Sequence, residues 1–513
     1  MPKLILDQSK FIQGLSDNNK SGNYALRDID IYRDYGYLVP GFLHSDITIT
    51  GLASDIIEII DDPVNSRAYL LGNGGRVYGV NTSTDADLGD SFGGGAQNYN
   101  VVAGLTEAKG LVAYSAADTA YKVFFAYNGT AKNIAKGNLT TDWSGANLDQ
   151  DWGSTVPTGG DTLQVGRRDM IEWRTFLWVT NGRYLGKIDT LAATAVFTPD
   201  FYDFGLGWTT DRVFPVGNYL GIVASKAKDA TAPGSIYAPS SGRNTNECKI
   251  HIINLAGDLM NIIPLEGITQ VHSIINRNGT IIVFADDRSK GHIVAVLGEG
   301  GLEEVKRLQH DVSGTLNTFL SPRSQSAVTI YKNQVLFGTE SGGTTTGRGF
   351  VFGYGRKDIA KQHALYQPYS LSEVAGSRTT SLKQIYTDKL YAGYFDNSDY
   401  KLSKLTTGYS TSANYLPGYT DLGQRVVLNY VEIFFKPLVA SDSITVGIDT
   451  DYGTSHTIEE ASGVISHTAD GALTYKKFDL AGQECHAFRP TISWSAGGVA
   501  ISKIVVDYTF INN

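Results

Sequence analysis

The sequence predicts an all-β protein, in which a β-propeller of about seven blades is followed by a C-terminal β-sandwich. Short runs rich in Ile, Val, Tyr and Phe recur throughout the chain, whereas helical periodicity is almost absent. Glycine supplies 57 of the 513 residues, and Asn-Gly, Asp-Asn and Gly-Gly pairs bound many of the runs. Such pairs favour the tight turns that join neighbouring strands.

The central part of the chain, residues 51–421, repeats a strand-turn-strand unit about every forty residues. The clearest unit places two apolar strands on either side of Asn278 and Gly279. One small sheet cannot bury both of its apolar faces, but sheets packed around an axis bury both, and closure of the ring removes the exposed sheet edge. We therefore expect a propeller. Its units are residues 55–81, 110–139, 170–189, 214–255, 274–297, 327–355 and 381–405.

Two further regions flank the repeats. Residues 422–513 contain the runs RVVLNYVEIFFKPL, DSITVGID and RPTISWSAGG with no helix between them, which predicts a β-sandwich. Residues 1–50 mix loop-like and apolar segments, which predicts an extended arm docked on the protein. Apolar side chains of this arm are candidate assembly contacts, and the alternative is that they close the arm onto its own propeller. They are Phe11, Tyr35, Tyr37, Leu38 and Phe42.

Composition and charge exclude several classes of protein. The formal net charge of −9 repels the phosphates of nucleic acid, so no nucleic-acid partner is expected. No stretch approaches eighteen uninterrupted apolar residues, so no membrane span is expected. The two cysteines, Cys248 and Cys485, form no disulfide framework or zinc knuckle. The N-terminus also lacks the apolar run of an export signal.

Motifs that would carry catalysis or bind a metal are missing. No GxSxG elbow occurs, and the nine histidines never stand in HxH, HExxH or HxxxH spacing, so each is interpreted as isolated. We expect no metal, no cofactor and no catalytic residue. Asp449 and Asp451 near Gly453 favour a hairpin turn over a calcium loop. Three carboxylate pairs stand beside turn residues, where a bond to the local backbone is the commoner role. They are Asp61/Asp62, Asp286/Asp287 and Glu459/Glu460.

Two tryptophans are candidate glycan contacts. Trp143 and Trp152 lie in the polar segment TTDWSGANLDQDWGS, where an exposed aromatic ring could stack on a sugar. Trp173 and Trp178 instead lie in apolar strands and are assigned to packing. The sequence therefore predicts that any glycan contact involves the first pair.

The order of the parts resembles structural proteins of tailed-bacteriophage virions, in which a tail or tail-tip propeller is followed by a small β domain. The resemblance rests on the arm DIDIYRDYGYLVPGFL, the degenerate propeller and the terminal FRPTISWSAGGVAISKIVVDYTF. It implies a homo-oligomer that is made in the host cytoplasm, carried in the virion and assembled with other tail proteins. It brings no catalytic residues.

The function that follows is a non-enzymatic structural component of a phage tail or tail tip. Two alternatives stay open at this point. The first is a tail protein that binds a host-surface glycan as its receptor. The second is a propeller enzyme that cleaves a glycan, because a propeller axis can gather carboxylates that are distant in the sequence.

Overall fold

The structure, a computed structural model, is nearly all β. Within the residues that it describes, no helix has the length and apolarity to cross a membrane. The described residues are 2–11, 23–27, 29–31, 33–34, 37–88, 99–100, 104–139, 143, 147–155, 162–226, 247–308, 325–339, 349–356, 363–372, 374, 376–386, 388–410, 412–495 and 497–511.

The N-terminal segment is distributed over two parts of the fold. Its last strand becomes the outer strand of a propeller blade, and its first strand joins a sheet formed by the end of the chain. The elements are β1 (Lys3–Asp7), the single helical turn α1 (Gln8–Phe11), β2 (Asn23–Arg27) and β3 (Phe42–Ile47).

Four antiparallel blades follow in chain order, each built from consecutive strands. Blade 1 contains β4 (Ile56–Asp62), β5 (Arg67–Gly72), β6 (Arg76–Asn81), β7 (Ala86–Asp87) and β8 (Tyr99–Asn100). Blade 2 contains β9 (Glu107–Ser115), β10 (Ala120–Asn128), β11 (Lys132–Asn138) and β12 (Leu148–Asp149), followed by the helical turn α2 (Trp152–Thr155). Blade 3 contains β13 (Met170–Trp173), β14 (Phe176–Asn181), β15 (Tyr184–Asp189) and β16 (Val196–Asp203). Blade 4 contains β17 (Trp208–Val216), β18 (Tyr219–Lys226), β19 (Glu247–Ile253) and β20 (Leu259–Leu265).

Three more blades complete the ring, so the predicted all-β fold with seven blades is confirmed. Blade 5 contains β21 (Ile268–Arg277), β22 (Thr280–Asp287), β23 (Gly291–Gly298) and β24 (Gly301–Arg307). Blade 6 contains β25 (Val328–Tyr331), β26 (Gln334–Gly338), β27 (Gly349–Gly355) and β28 (Ala364–Ser372), preceded by a 3₁₀ turn at Gln325–Ala327. Blade 7 contains β29 (Arg378–Gln384), β30 (Leu390–Phe395) and β31 (Tyr400–Tyr409), and β3 is its outer strand.

Turn chemistry explains the local folding of the repeats. Asn278 and Gly279 have φ angles of 49° and 87° and connect Arg277 directly to its pairing partner Thr280. Both central residues therefore occupy the left-handed region, as the tight hairpin turn predicted from Asn-Gly requires. The flanking strands alternate their side chains between two faces, and apolar clusters fill the spaces between neighbouring blades.

Contacts between the first and last blades close the ring. Burial acts to raise the pKa of Asp85 in blade 1, but hydrogen bonds from Lys389, Lys404 and Tyr391 lower the pKa below its ordinary value. Lys389 Nζ lies 2.8 Å from Asp85 Oδ1, and Tyr391 Oη donates to the same oxygen at 2.5 Å. All three donors belong to blade 7. Closure therefore depends on a largely buried carboxylate as well as on the pairing of β3.

The C-terminal strands form a sandwich-like region, as predicted. The strands are β32 (Ala413–Pro417), β33 (Thr420–Phe435), β34 (Ser443–Thr450), β35 (Thr454–Thr457), β36 (Val464–Ser466), β37 (Tyr475–Ser495) and β38 (Ile501–Phe510), with a 3₁₀ turn at Glu460–Gly463 and the helical turn α3 (His467–Asp470). The long strands β33 and β37 pair along much of their length, and β38 and β1 extend the sheet on the far side of β33. Through β32 and β2, the same sheet continues into blade 6.

The arm packs on its own chain, which corrects the prediction of Phe11 and Leu38 as assembly contacts. Phe11 is 1% exposed and packs edge-to-face on Tyr415, with ring centroids 5.6 Å apart. Leu38 is fully buried and exchanges backbone hydrogen bonds with Ile501. Neither side chain is available to another protein, so the alternative in which the arm closes on its own chain describes both of them.

The other three predicted arm contacts have different outcomes. The half-buried Phe42 ring packs on Tyr409, with centroids 5.6 Å apart. Tyr37 is also half-buried, and the Lys436 ammonium lies 4.3 Å from its ring centroid. Tyr35 lies outside the described residues. The assembly role of Tyr37 and Phe42 stays a prediction.

Candidate functional site

A pocket of about 530 Å³ opens where the first strands of blades 7, 1, 2 and 3 begin. The first strands of successive blades contact one another, so they surround the propeller axis. We call this cavity the axial pocket. None of the described residues that line it is aromatic, and both signs of charge are present. Its charged residues are Asp55, Glu107, Lys132, Arg167 and Arg378.

Asp55 immediately precedes β4 and is held by an arginine of the neighbouring blade 7. Arg378 Nη2 and Nε donate to Asp55 Oδ2 at 2.7 and 3.2 Å. The other carboxylate oxygen, Oδ1, is buried and makes no hydrogen bond within the described part of the chain.

Glu107 begins β9 and supplies the second carboxylate of the axial pocket. Asn128 Nδ2 donates to its Oε2 at 3.2 Å, and Arg212 Nη1 lies 3.8 Å from its Oε1. The same Asn128 amide donates to the carbonyl oxygen of Gly166 at 2.8 Å. The Asn128 amide thus connects Glu107 to the Gly166 backbone, while Asn128 Oδ1 has no hydrogen-bond partner among the described residues.

Buried charges lie deeper between the first strands. Lys109 Nζ lies 3.0 Å from Glu58 Oε1, and both side chains are largely buried. Burial raises the pKa of Asp169 and of Asp211, against the attraction of nearby arginines that include Arg212. Arg212 also donates from Nε to the carbonyl oxygen of His272 at 2.7 Å. These groups couple the pocket electrostatically to blades 4 and 5.

The pocket can make polar contacts with a ligand rich in hydroxyl groups. Carboxylate oxygens accept hydrogen bonds from hydroxyls, and guanidinium and amide N–H groups donate to them. Two carboxylates beside one cavity also meet the basic requirement of glycoside hydrolysis, which needs a proton donor and a base or nucleophile. Without aromatic residues in its lining, the pocket offers no stacking platform for a sugar ring.

The structure contradicts the prediction that Trp143 and Trp152 contact a glycan. Trp143 is 3% exposed, and its ring stacks on Tyr69 and on Phe125, with centroid distances of 4.9 and 5.8 Å. Trp152 is 1% exposed and packs on Phe124 at 5.1 Å. Both indoles belong to the cores between blades. The prediction was wrong because both indole rings are buried although most of the neighbouring residues in the sequence are polar.

Asp62 and Asp287 have the local backbone role that was predicted for the carboxylate pairs. Asp62 Oδ1 accepts the backbone N–H of Val64 at 3.0 Å, and Asp287 Oδ1 accepts that of Ser289 at 2.8 Å. Asp451 lies in the turn of the hairpin between β34 and β35, as predicted.

The residue patterns did not reveal two sets of side chains that the fold brings together. The statement that each histidine is isolated is wrong for His272 and His292, which approach Asp286 from neighbouring strands. Sequence reasoning also missed Asp55 and Glu107, because they belong to different blades. Asp55 directly precedes the first strand of blade 1, and Glu107 begins the first strand of blade 2. Their shared position at the starts of first strands is the signal that could have suggested them.

Comparison with known proteins gives no family. No protein-family model matches the chain, and no curated protein matches its sequence. Solved structures of an exo-β-1,3-galactanase from Phanerochaete chrysosporium are similar at 9% sequence identity. One contains β-1,3-galactotriose and another galactose; each has a TM-score of 0.30 and covers 69% of this chain and 98% of the galactanase chain.

These structural neighbours contradict two predictions made from the sequence, that the protein is a non-enzymatic structural component and that it is not an enzyme. We carry neither prediction further. At this TM-score and identity, the likeness carries no argument about substrate or catalytic residues.

Proposed function

We propose that the protein binds a glycan in the axial pocket and hydrolyses it, with Asp55 and Glu107 as the carboxylate pair. The observation that carries the proposal is the meeting of these two side chains in one cavity of about 530 Å³. They come from neighbouring blades and are held by separate partners. A cavity of this volume suits one or a few sugar residues.

The role of each carboxylate is assigned from the groups that hold Asp55. Asp55 Oδ2 accepts two N–H groups of Arg378, which suits a carboxylate that acts as base or nucleophile. Glu107 accepts one amide N–H of Asn128, and its other oxygen lies 3.8 Å from Arg212. We assign proton donation to Glu107. General acid–base groups of this kind contribute about 10²–10⁴-fold to a rate.

Purified protein should be incubated with a panel of bacterial capsular and O-antigen polysaccharides. New reducing ends and shortened products are then measured by a colorimetric assay and by mass spectrometry. Asp55→Asn and Glu107→Gln should each lower the rate by about 10²–10⁴-fold while the folded state persists. Circular dichroism and thermal unfolding establish that the variants are folded.

Asp203→Asn is the matched control. Asp203 also accepts a hydrogen bond from an arginine, because Arg183 Nε donates to its Oδ1 at 2.7 Å. Unlike Asp55 and Glu107, Asp203 lies at the end of the outer strand of blade 3. This variant should keep the full rate. Hydrolysis that survives both pocket substitutions, or that falls equally in Asp203→Asn, would contradict the assignment.

A glycan-binding protein without hydrolysis is the second candidate, favoured by the mixed acidic, basic and amide lining of the axial pocket. Both candidates require the pocket to bind sugar. Isothermal titration with the same panel distinguishes the two candidates. A glycan that binds to the wild type but is never shortened by it supports binding without hydrolysis. An absence of binding across the panel would count against both.

We further propose that the glycan lies on a bacterial surface and that the protein is carried by a phage particle. The proposal rests on the resemblance in the order of arm, propeller and terminal β region. Partnership with tail proteins and self-association stay predictions on the same ground. Mass spectrometry of purified particles would detect the protein if it is a virion component, and its absence from them would remove this setting while leaving the pocket assignment untouched.

A further inference from the structure

A second cluster of chemically active side chains lies inside blade 5, away from the axial pocket. His272, Asp286 and His292 each have 5% of their surface exposed. One ligand-type atom from each lies within 4.8 Å of those of the other two. None of the three residues lines the axial pocket.

The local pairing of the strands brings these side chains together. Asp286 on β22 lies directly opposite His292 on β23, so both side chains project from the same face of the sheet. His272 lies in β21 where the pairing register shifts between Val271 and Ser273. A β-bulge of this kind redirects a side chain. It allows His272 to reach the carboxylate next to His292.

The contacts are close, but they are not ordinary hydrogen bonds. His272 Nε2 lies 3.0 Å from Asp286 Oδ1, and His292 Nδ1 approaches the same oxygen. Neither nitrogen of His272 and neither oxygen of Asp286 makes a hydrogen bond of acceptable geometry within the described residues. Two imidazole nitrogens and a carboxylate oxygen that converge in this way can share a cation. Around a tetrahedral ion with bonds of about 2.0–2.1 Å, ligand atoms lie about 3.3 Å apart.

We propose that His272 Nε2, Asp286 Oδ1 and His292 Nδ1 bind a divalent transition-metal ion of the Zn²⁺ class. Two imidazoles and one carboxylate are a donor set that such ions favour over Mg²⁺ or Ca²⁺, which prefer oxygen ligands alone. The ion would link three adjacent strands of blade 5. It would therefore stabilise this blade, and the proposal does not depend on the function of the axial pocket.

Charged groups of both signs lie near the cluster. Arg167 and Arg212 lie nearby, but the carboxylates Asp169, Asp211 and Glu107 interact with these guanidinium groups. The Asp286 carboxylate instead contacts the two histidines. Cys248 is not one of the residues whose ligand atoms lie within 4.8 Å of one another, so we do not assign it as a ligand.

Metal content tests the proposal directly. Wild-type protein refolded with Zn²⁺ and then dialysed should hold about one zinc ion per chain by plasma mass spectrometry. A strong chelator should lower the melting temperature, and added Zn²⁺ but not Mg²⁺ should restore it. X-ray absorption should show nitrogen and oxygen ligands at about 2.0–2.2 Å and no sulfur ligand.

Variants locate the ion. Asp286→Asn and His292→Gln should each reduce the zinc content at least about tenfold. His251→Gln is the matched control, because His251 is also buried but belongs to blade 4 and contacts Tyr202 Oη at 2.9 Å. It should keep the full zinc content. Refolded wild-type protein without stoichiometric zinc, or zinc retained by Asp286→Asn, would overturn the proposal whether or not every variant folds.

Discussion

Replacing Phe11 by Ala tests whether the arm belongs to the fold of its own chain. The side chain is 1% exposed and packs edge-to-face on Tyr415. Truncation of a buried phenylalanine costs about 3–5 kcal/mol, which includes about 0.5–1.5 kcal/mol for the aromatic pair. Because Phe11 ends the helical turn that follows β1, this loss should fall on the docking of residues 3–7 against β38.

Hydrogen exchange followed by mass spectrometry measures that docking. The backbone amides of residues 3–7 lie in a strand paired with Asp507 through Lys503, so they should be protected in the wild type. A loss of 3 kcal/mol or more corresponds to at least about 100-fold less protection in Phe11→Ala. Phe11→Leu, which leaves a smaller cavity, should lose less.

Phe510→Ala is the control for this experiment. Phe510 ends β38 and is 38% exposed, so its truncation should change stability by less than about 1 kcal/mol and leave residues 3–7 protected. Unchanged protection of the arm in Phe11→Ala, or equal losses in both variants, would refute the inference that Phe11 anchors the arm.

Three further predictions concern stability and reactivity. Asp85→Asn should destabilise the ring by about 2–4 kcal/mol at pH 7, more than Asp203→Asn. The contribution of Asp85 is present above its unfolded pKa of about 3.9, and it should vanish as pH falls through the lower folded value, as urea unfolding at several pH values would show. Trp143→Ala should cost about 3–5 kcal/mol in thermal unfolding without reducing glycan affinity; weaker glycan binding with unchanged stability would restore the sugar-contact role. Burial raises the pKa of Cys248 and raises that of Cys485 to about 12, so a disulfide reagent should label neither thiol until urea is added; rapid labelling of the native protein would contradict this.

Much of the fold could be predicted because its determinants are local. The turn at Asn278 and Gly279 and the alternating strands around it define one blade without reference to the rest of the chain. Repetition of that pattern seven times implied the ring, since only packing between blades buries both faces of each sheet. The outer strand of blade 7 could not be read in this way, because residues 42–47 precede the repeats and pair with β31 near the other end of the propeller.

The functional groups followed a different rule. Motif searches compare residues at short, constant spacing, whereas Asp55, Glu107 and Arg378 meet only because blades 1, 2 and 7 surround one axis. His272 and Asp286 meet across a bulge whose position depends on the register of two strands. Burial was equally hidden at Trp143, where a polar segment carries an indole that packs between Tyr69 and Phe125.

The amino-acid sequence by itself determined the secondary structure, the number of repeats and the weakly acidic, glycine-rich character of the protein. Hydrophobic alternation and turn preference act over a few residues, so they can be recognised wherever they occur. Tertiary structure alone decided which carboxylates share the axial pocket, which histidines face Asp286 and where the arm binds. The pocket carboxylates meet because closure of the ring brings different blades together. The histidines face Asp286 because of the strand register within blade 5, and the arm binds where β38 offers it a pairing edge.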